Sequence, residues 1–381
     1  MNFIYTNFTK TNAIAVIVII TILVAGCEQD DQQSFDWNLR HDFPLPQVPL
    51  DNPMSLAKVE LGRHLFYDKN LSANQLQSCA SCHIQEHAFA EPLKTSVGST
   101  GSIIRRNSPA LVNIAYNKTL TWAHDGLKSI EKQLLIPMFS EDPVELGITG
   151  SEKEVLARFL TPEYQTRFDK AFPGQQVSFD LINKAIASFV RGLVSLNSPF
   201  DKYAYDADDN ALSESALRGM NLFFSERLEC HHCHGGFNFT QSTTHEKQLL
   251  DRRPFHNTGL YYVESENGYP AKDIGLAEVS LDPNDNGRFR APTLRNIAVS
   301  APYMHDGSIS SLEEVLNFYA AGGRNIQAGE FKGDGRINPK KNAFIKGFTL
   351  TQEEKQDLIT FLESLTDKQF LNDERYSDPK Q

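Results

Sequence analysis

Two short stretches, Cys79-Ala80-Ser81-Cys82-His83 and Cys230-His231-His232-Cys233-His234, decide how this chain folds. Each contains two cysteines three positions apart, and a histidine follows the second cysteine directly. The cysteine pairs alone could form disulfides or bind one zinc ion. The histidine favours a third interpretation, because two thiols at this spacing can bond the vinyl groups of a haem while the imidazole ligates its iron. The sequence therefore predicts two covalently attached haem c groups, ligated by His83 and His234.

The segments around the two motifs repeat in the same order. Two diverged copies of one haem-binding domain explain this order, and a polar, acidic break near residues 200–212 marks the expected boundary. We therefore expect an N-terminal haem domain over 51–205 and a C-terminal haem domain over 206–381. The matching pairs are 62–67 with 219–224, 109–115 with 292–298, and His124-Asp125-Gly126 with His305-Asp306-Gly307.

The hydrophobic periodicity predicts a mostly α fold, with two cytochrome c-like haem domains and long irregular loops around the haems. Asn52-Pro53 is expected to open the first helix, with the proline in its first turn. Three serine or threonine residues stand three positions before a glutamate, which is the spacing of a capping box: Ser151, Ser311 and Thr351. Alternating strand patterns are scarce.

The N-terminus predicts export. An apolar run over 13–25 is short for a membrane span, and Leu23-Val24-Ala25-Gly26-Cys27 resembles a bacterial lipobox. We expect residues 1–26 to be a lipoprotein signal peptide, Cys27 to carry the lipid, and 27–50 to form a linker. An uncleaved anchor or an ordinary signal with an incidental cysteine is the alternative. The folded part is then expected in the periplasm, held to a membrane only through its lipid.

Length and charge narrow the possibilities further. With 381 residues, of which 40% are hydrophobic, the chain is long enough for two domains. Its formal net charge is −11 and no basic run is present that could neutralise phosphates. The sequence therefore argues against a nucleic-acid role.

Together with the haem motifs, three further segments resemble the bacterial diheme cytochrome c peroxidase and MauG family. They are Arg106-Asn107-Ser108-Pro109, Pro292-Thr293-Leu294-Arg295-Asn296 and Pro302-Tyr303-Met304-His305-Asp306-Gly307. The resemblance covers residues 50–366. Within the family, 120–123 and 142–147 look most like the MauG-like branch that includes MbnH, which acts on a copper-protein partner. The resemblance implies an oxidoreductase that reacts with hydrogen peroxide.

In this family the N-terminal haem reacts with peroxide, which here is the haem held by His83. Such a site needs a group that moves a proton between the two peroxide oxygens. Glu145 matches the family's distal glutamate. Because extra residues separate Trp122 from Glu145, Glu141 and Asp142 stay open as substitutes. A glutamate in a surface loop is more often simply solvated.

Three further positions match the peroxide side of the family's first haem. Gln133 and Pro137 would shape access to the iron. Typical diheme peroxidases carry a blocking histidine eight residues before the asparagine of the RN-x-P motif, and here that position is Ser99, counted from Asn107. No histidine occurs within 88–123. We therefore expect the first haem to be five-coordinate or water-bound without reductive activation.

The sixth ligand of the second haem is expected at Tyr319. The family's ligand lies fourteen residues after the histidine of its HDG motif, and counting from His305 gives Tyr319. MauG has tyrosine at this position, whereas peroxidases with a high-potential haem have methionine. A tyrosine at helical spacing is more often packed than ligating, and Met304 is a rival ligand.

Trp122 matches the family's tryptophan between the two haems and is the expected electron relay. Trp37 is the only other tryptophan, and most tryptophans are simply packed. The family also holds a calcium ion through one asparagine side chain and two carbonyls, which here match Asn107, Ser300 and Pro302. Oxygen ligands suit this hard cation.

Five other histidines are not expected to ligate haem iron. The residues between the two cysteines of a haem motif usually face outward, and an HDG histidine more often bonds loop backbone than metal. The histidines concerned are His87, His124, His231, His232 and His305.

The expected activity is therefore peroxide-dependent oxidation, with two possible partners. A small donor such as cytochrome c or a cupredoxin could supply electrons, or a side chain, expected to be tryptophan, could be oxidised on a partner such as an exported copper-binding protein. Ser99 and Tyr319 favour the second. A non-catalytic electron-transfer cytochrome and a zinc-binding or disulfide-stapled lipoprotein are the alternatives from other classes.

Overall fold

Helices dominate the computed structural model, which describes residues 35–248 and 255–380. This confirms the mostly α prediction, while the predicted signal peptide and Cys27 lie outside the described residues. Within the described part, the helices are α1 Leu56–Tyr67, α2 Ile130–Gln133, α3 Leu135–Phe139, α4 Glu152–Ala157, α5 Pro162–Ala171, α6 Phe179–Arg191, α7 Pro199–Tyr205, α8 Glu214–Phe223, α9 His231–His234, α10 Ala277–Ser280, α11 Leu312–Ala320, α12 Gln352–Glu363 and α13 Lys368–Leu371.

Four two-residue strands complete the regular structure of the described residues. They form two antiparallel ribbons, β1 Phe255–His256 with β2 Phe289–Arg290 and β3 Asn325–Ile326 with β4 Gly333–Asp334. Long irregular segments connect these elements, as the scarcity of strand patterns predicted.

The start of α1 differs from the prediction. The helix begins at Leu56, because the Ser55 hydroxyl accepts the Lys58 N–H at 3.3 Å and caps it. Pro53 therefore precedes the helix and does not lie in its first turn. The capping box at Thr351 is confirmed. Ser311 caps α11 through its side chain, but the Glu314 carboxylate accepts the Ser310 N–H, so the reciprocal bond of a box is not formed there. The prediction of a capping side chain at Ser151 is wrong. Ser151 occupies the N-cap position of α4, but its side chain makes no capping hydrogen bond.

Two pairs of crossing helices repeat the same construction. Helix α1 packs on α6, and α8 packs on α12. At each crossing a glycine lets the two backbones approach closely. A Cβ added to Gly62 would overlap the Ala185 carbonyl oxygen, and one added to Gly219 would overlap the Asp357 carbonyl oxygen. These matched crossings support the internal duplication inferred from the sequence.

The duplicated asparagines Asn113 and Asn296 show the same relation. Both have left-handed backbone conformations, with φ of 55° and 59°. The Asn113 side-chain oxygen accepts the Ser195 N–H, and that of Asn296 accepts the Asp367 N–H, each at 2.8 Å. Each asparagine thus anchors the loop after its haem motif to the segment that follows the last long helix of its half.

A buried ion pair lies at the expected boundary between the halves. The Arg295 guanidinium donates two hydrogen bonds of 2.8 Å to the Asp201 carboxylate. Both side chains are shielded from solvent, so losing one partner would leave an uncompensated buried charge. The division into 51–205 and 206–381 stays a prediction.

No helix within 35–248 or 255–380 is long and apolar enough to cross a bilayer.

We predict that Gly219→Ala destabilises the protein by about 1–3 kcal/mol, because the new methyl group forces α8 away from α12. The measurement is the denaturant midpoint of the holoprotein. Asn221→Ala is the matched control, since Asn221 is exposed on the same helix. Equal midpoints for the two variants would contradict the close helix crossing.

Candidate functional site

The first haem motif folds into a tight turn that fixes its histidine. The His83 N–H donates to the Cys79 carbonyl at 3.0 Å. The ring Nδ1 of His83 lies 2.7 Å from the Phe89 carbonyl oxygen. Because Nδ1 is engaged with this backbone acceptor, Nε2 is the nitrogen left to ligate a metal.

The second motif repeats this arrangement. The His234 N–H donates to the Cys230 carbonyl at 3.0 Å. The ring Nδ1 of His234 lies 3.3 Å from the Phe239 carbonyl oxygen and 3.1 Å from that of Pro292. The same nitrogen is therefore presented for ligation in both halves.

None of the four motif cysteines is bonded to another in a disulfide. Burial raises the pKa of Cys79 and of Cys230 to about 12, and that of Cys233 to about 11. Burial also lowers the pKa of His234 to about 4, which keeps its imidazole in the neutral form that binds metals.

The cysteines do not gather into one tetrahedral zinc site. Within the described residues, the only group of three or more potential ligands from His, Cys, Asp and Glu is Glu226, His231 and His232. Neither the zinc nor the disulfide alternative therefore has support in the geometry. Two separate thiol pairs, each followed by a histidine held at Nδ1, fit two haem attachments.

Arg290 is a functional candidate that the sequence did not reveal. Its Nε donates to the Thr121 carbonyl at 2.7 Å, but its buried Nη1 has no hydrogen-bond partner among the residues that the structure describes. Burial lowers the pKa of Arg290 to about 10. A haem carries propionate carboxylates, which would satisfy such a guanidinium. The orphaned donor therefore fits the presence of the cofactor.

Glu145 is partly buried and lies beside the first motif. Three backbone hydrogen bonds hold its segment: from Ser99 N to Glu145 O at 2.7 Å, from Leu146 N to Pro137 O at 2.9 Å, and from Ala73 N to Leu146 O at 2.9 Å. Burial raises the pKa of Glu145 to about 7. The carboxyl is also close enough to the Cys79 and Cys82 thiols to raise their pKa values.

The competing carboxylates Glu141 and Asp142 are both exposed. The structure therefore favours Glu145 among the three acids of this segment. Pro137 contacts the Glu145 segment through its carbonyl, and Gln133 is partly buried at the end of α2. Their predicted roles in shaping access stay predictions.

Ser99 lies directly against the Glu145 segment. Its carbonyl accepts a 2.7 Å hydrogen bond from the Asn74 side chain, and its buried Oγ has no partner within the described part of the chain. A Cβ added to Gly147 would come within 2.6 Å of that Oγ. The structure thus brings together the position of the expected blocking ligand and the expected proton carrier.

A second buried acid near the first motif was also missed by sequence reasoning. Glu91 is 3% exposed, and its carboxylate accepts hydrogen bonds from Ser96 and Ser108. Burial raises the pKa of Glu91. Glu91 lies eight residues after His83, close to the motif in sequence. No sequence pattern indicated that this acid would be buried.

Trp122 comes from the N-terminal half but packs among residues of the C-terminal half. Its indole N–H donates to the Asn107 carbonyl at 2.8 Å, and its own carbonyl accepts the Arg290 N–H at 2.7 Å. It belongs to a buried cluster that includes Tyr303 and Phe318, with Tyr319 packed against it. This location fits a side chain that connects the halves.

Tyr319 occupies the last turn of α11 and is partly buried. Burial, followed by the nearby Cys233 and Cys230 thiols, raises the pKa of the Tyr319 phenol above its ordinary value. The phenol is therefore close to the second haem motif. Met304 packs against the same cluster as Trp122, and the choice between the two ligands stays a prediction.

The three expected calcium ligands present free oxygens. The Asn107 amide donates to the Leu93 carbonyl at 3.0 Å, which leaves its side-chain oxygen for another partner. The carbonyl oxygens of Ser300 and Pro302 accept no hydrogen bond from the described residues. Asn107 N also donates to His305 O at 2.8 Å, which joins the two segments. The donor set fits a hard cation.

The other histidines are engaged elsewhere. His124 Nδ1 accepts the Gly126 N–H at 3.0 Å, as expected for an HDG histidine. His87 Nδ1 lies 2.9 Å from the Val299 carbonyl oxygen. His305 stacks on Phe289 with ring centroids 3.5 Å apart.

Comparisons with known proteins agree with this site. Residues 56–210 match the family model described as di-haem cytochrome c peroxidase. Cytochrome-c peroxidase IdrP1 of Pseudomonas sp. (strain SCT) is 37% identical over 339 residues, with 85% of each chain covered. Methylamine utilization protein MauG of Methylophilus methylotrophus is 30% identical over 363 residues, with 92% of this chain and 94% of that protein covered.

A solved structure supports the same relation. The chain is 44% identical, with a TM-score of 0.88, to a MauG-like protein associated with microbial copper homeostasis, and the match covers 91% of this chain and all 100% of the other. The similarity therefore extends over nearly the whole chain. The protein is an enzyme of the diheme cytochrome c peroxidase and MauG family, whose members are oxidoreductases with two haem c groups.

Proposed function

We propose that the protein uses hydrogen peroxide at the haem held by Cys79, Cys82 and His83 to oxidise a side chain on a partner protein. The observation that carries this proposal is the 2.7 Å hydrogen bond from the Ser99 N–H to the Glu145 backbone carbonyl. Where typical peroxidases have a blocking histidine, this chain has a serine held by the backbone of the expected proton carrier. When bound, the haems supply the iron that reacts with peroxide and store the resulting oxidising equivalents.

Glu145 is the proposed proton carrier. A carboxyl with a pKa near 7 can accept a proton from one peroxide oxygen and return it to the other at neutral pH. Burial is the cause of the raised Glu145 pKa. A neighbouring cation would have the opposite effect, because it stabilises the carboxylate and lowers the pKa. The backbone hydrogen bonds on both sides of Glu145 keep the carboxyl in place.

Ser99 is proposed to leave the iron face accessible. Its main chain is fixed by the hydrogen bonds to Glu145 and from Asn74. Its Oγ has no partner among the described residues, so it can orient a bound peroxide or water.

Trp122 is the proposed path for electrons between the halves. Its indole is 9% exposed and held by the Asn107 carbonyl, so its position is fixed. Tyr319 is the proposed sixth ligand of the second haem, supported by its position near Cys230 and Cys233.

The proposed substrate is a protein side chain, and a small electron donor is the second candidate. Partner oxidation is supported by the 44% identical structure, which is described as a MauG-like protein associated with copper homeostasis. Peroxide reduction by a small donor is favoured by the name of the 37% identical relative, a cytochrome-c peroxidase. An exported copper-binding protein is the proposed partner for the first activity.

Location and calcium complete the proposal. The lipobox-like segment ending at Cys27 supports a periplasmic, lipid-anchored protein. The free oxygens of Asn107, Ser300 and Pro302 support a calcium ion that joins the loop after the first haem motif to the 300–305 segment.

We predict that Glu145→Gln lowers kcat/KM for peroxide by roughly 10²–10⁴-fold, since the amide cannot carry the proton. The wild-type rate should rise with pH through about 7, because the carboxylate that accepts the proton forms above that pKa. Stopped-flow kinetics across pH 5–9 would measure both. Glu141→Gln is the control, and an equal loss in that exposed variant would refute the assignment.

Trp122→Phe is predicted to slow the spectral response of the second haem to peroxide while leaving the first response intact. Phenylalanine keeps the ring but is harder to oxidise and lacks the N–H that bonds Asn107. Rapid-scan absorption separates the two responses. Trp37→Phe serves as the matched control; unchanged second-haem kinetics in Trp122→Phe would exclude the relay.

Tyr319→Phe should change the ferric spectrum of the second haem and raise its reduction potential, because an anionic ligand that favours the ferric state is removed. Met304→Leu should leave both unchanged. Spectroelectrochemistry of the two variants measures this, and the opposite pattern would assign the ligand to Met304.

The substrate class can be decided by offering both partners with peroxide. We expect slow oxidation of reduced cytochrome c or cupredoxin, and a covalent mass increase on the copper-binding partner detected by mass spectrometry. Rapid turnover of the small donor without any change in partner mass would establish the peroxidase alternative.

A further inference from the structure

The side chains of Glu226 and of two residues within the second haem motif, His231 and His232, lie close together at the surface. His231 Nε2 lies 3.5 Å from Glu226 Oε1, and His232 Nε2 lies 3.6 Å from Glu226 Oε2. Each imidazole therefore faces a different oxygen of the same carboxylate. Glu226 is largely exposed, whereas the two histidines are partly shielded.

These separations suit a metal centre. Zinc binds histidine nitrogen and carboxylate oxygen at about 2.0–2.2 Å, which puts neighbouring ligands of a tetrahedral ion roughly 3.4 Å apart. The separations between Glu226 and the two imidazole nitrogens, 3.5 Å and 3.6 Å, are close to that value. The ligand atoms of all three residues lie within 4.8 Å of one another.

The two imidazoles are held before any ion binds. The His232 ring stacks on Phe344, with centroids 4.1 Å apart and planes 11° from parallel. The His231 and His232 rings lie 4.2 Å apart on the short helix α9. Cys230 and Cys233 flank them, so haem attachment at both cysteines would restrict this helix further.

Unpaired atoms and charge also favour a cation here. His232 Nε2, which faces Glu226, is buried without a hydrogen-bond partner in the described part of the chain. Glu229 Oε2 lies 2.7 Å from this nitrogen but forms no hydrogen bond with it, and Lys346 Nζ lies 3.5 Å from the other oxygen of Glu229. Apart from the imidazoles, the Glu226 and Glu229 carboxylates and the Lys346 ammonium together carry one net negative charge.

We propose that Glu226, His231 and His232 form a surface site for a borderline divalent ion, Zn²⁺ or Cu²⁺, with solvent as the fourth ligand. Two imidazoles and a carboxylate are a ligand set that both ions accept. The bound charge lies next to Cys233, so it raises the reduction potential of the second haem by favouring the added electron.

The first test is equilibrium dialysis of the ferric holoprotein against Zn²⁺, with metal counted by mass spectrometry. We expect one tight zinc per chain, and at least a tenfold rise in Kd for Glu226→Gln, which replaces an exposed ligand without disturbing packing. His41→Asn is the matched control, because exposed His41 also lies 2.8 Å from a carboxylate, that of Asp42.

Two further readouts distinguish a built site from adventitious metal. Cu²⁺ in the wild-type protein should show EPR coupling to two nitrogens, and His232→Asn should retain one, with an unchanged Soret band as the check on folding. Zn²⁺ should raise the second-haem potential in the wild type and not in Glu226→Gln. An adventitious ion only, bound equally by Glu226→Gln and the wild type, would overturn the proposal.

Discussion

The hydrogen bond between each motif histidine and a backbone carbonyl is the constraint on which the structure depends. His83 and His234 both present Nδ1 to the carbonyl of a phenylalanine five or six residues later. This contact fixes the ring orientation and leaves Nε2 for iron. It also requires the chain to turn back immediately after the motif, and Phe89 and Phe239 adopt left-handed conformations at that turn, with φ of 59° and 48°.

One duplicated frame supports two different environments. The glycine crossings at Gly62 and Gly219 set the same helix spacing in both halves. Beside the first motif the chain places a partly buried acid with a raised pKa and a serine hydroxyl that has no partner among the described residues. Beside the second it places the Tyr319 phenol. The duplicated framework therefore places the two haem motifs in the same way. The residues that differ between the two halves give each haem different surroundings.

The haem motifs, the mostly helical fold and the repeat could be predicted because each depends on local spacing. The choice of Glu145 over Glu141 and Asp142 could not be settled in the same way, because burial depends on contacts with Ser99 and the Ala73 region that are distant in sequence. The first helix start was misplaced because the Ser55 cap determines the start and Pro53 does not.

Arg290 and Glu91 were missed for a related reason. A charged residue is normally exposed, and nothing in its immediate sequence shows that tertiary packing will bury it. Arg290 is buried because β1 pairs with β2 and the Thr121 and Trp122 carbonyls lie against it. Charged residues whose burial depends on distant contacts are therefore where sequence reasoning was weakest.

The central claim is that the haem held by His83 has an accessible face. Ser99 does not block this face, and Glu145 carries protons there. The most direct test is an EPR and optical spectrum of the resting ferric holoprotein, repeated after one equivalent of peroxide. The account predicts one high-spin and one low-spin haem, with both responding to peroxide without prior reduction. Two low-spin haems that react only after partial reduction would contradict it.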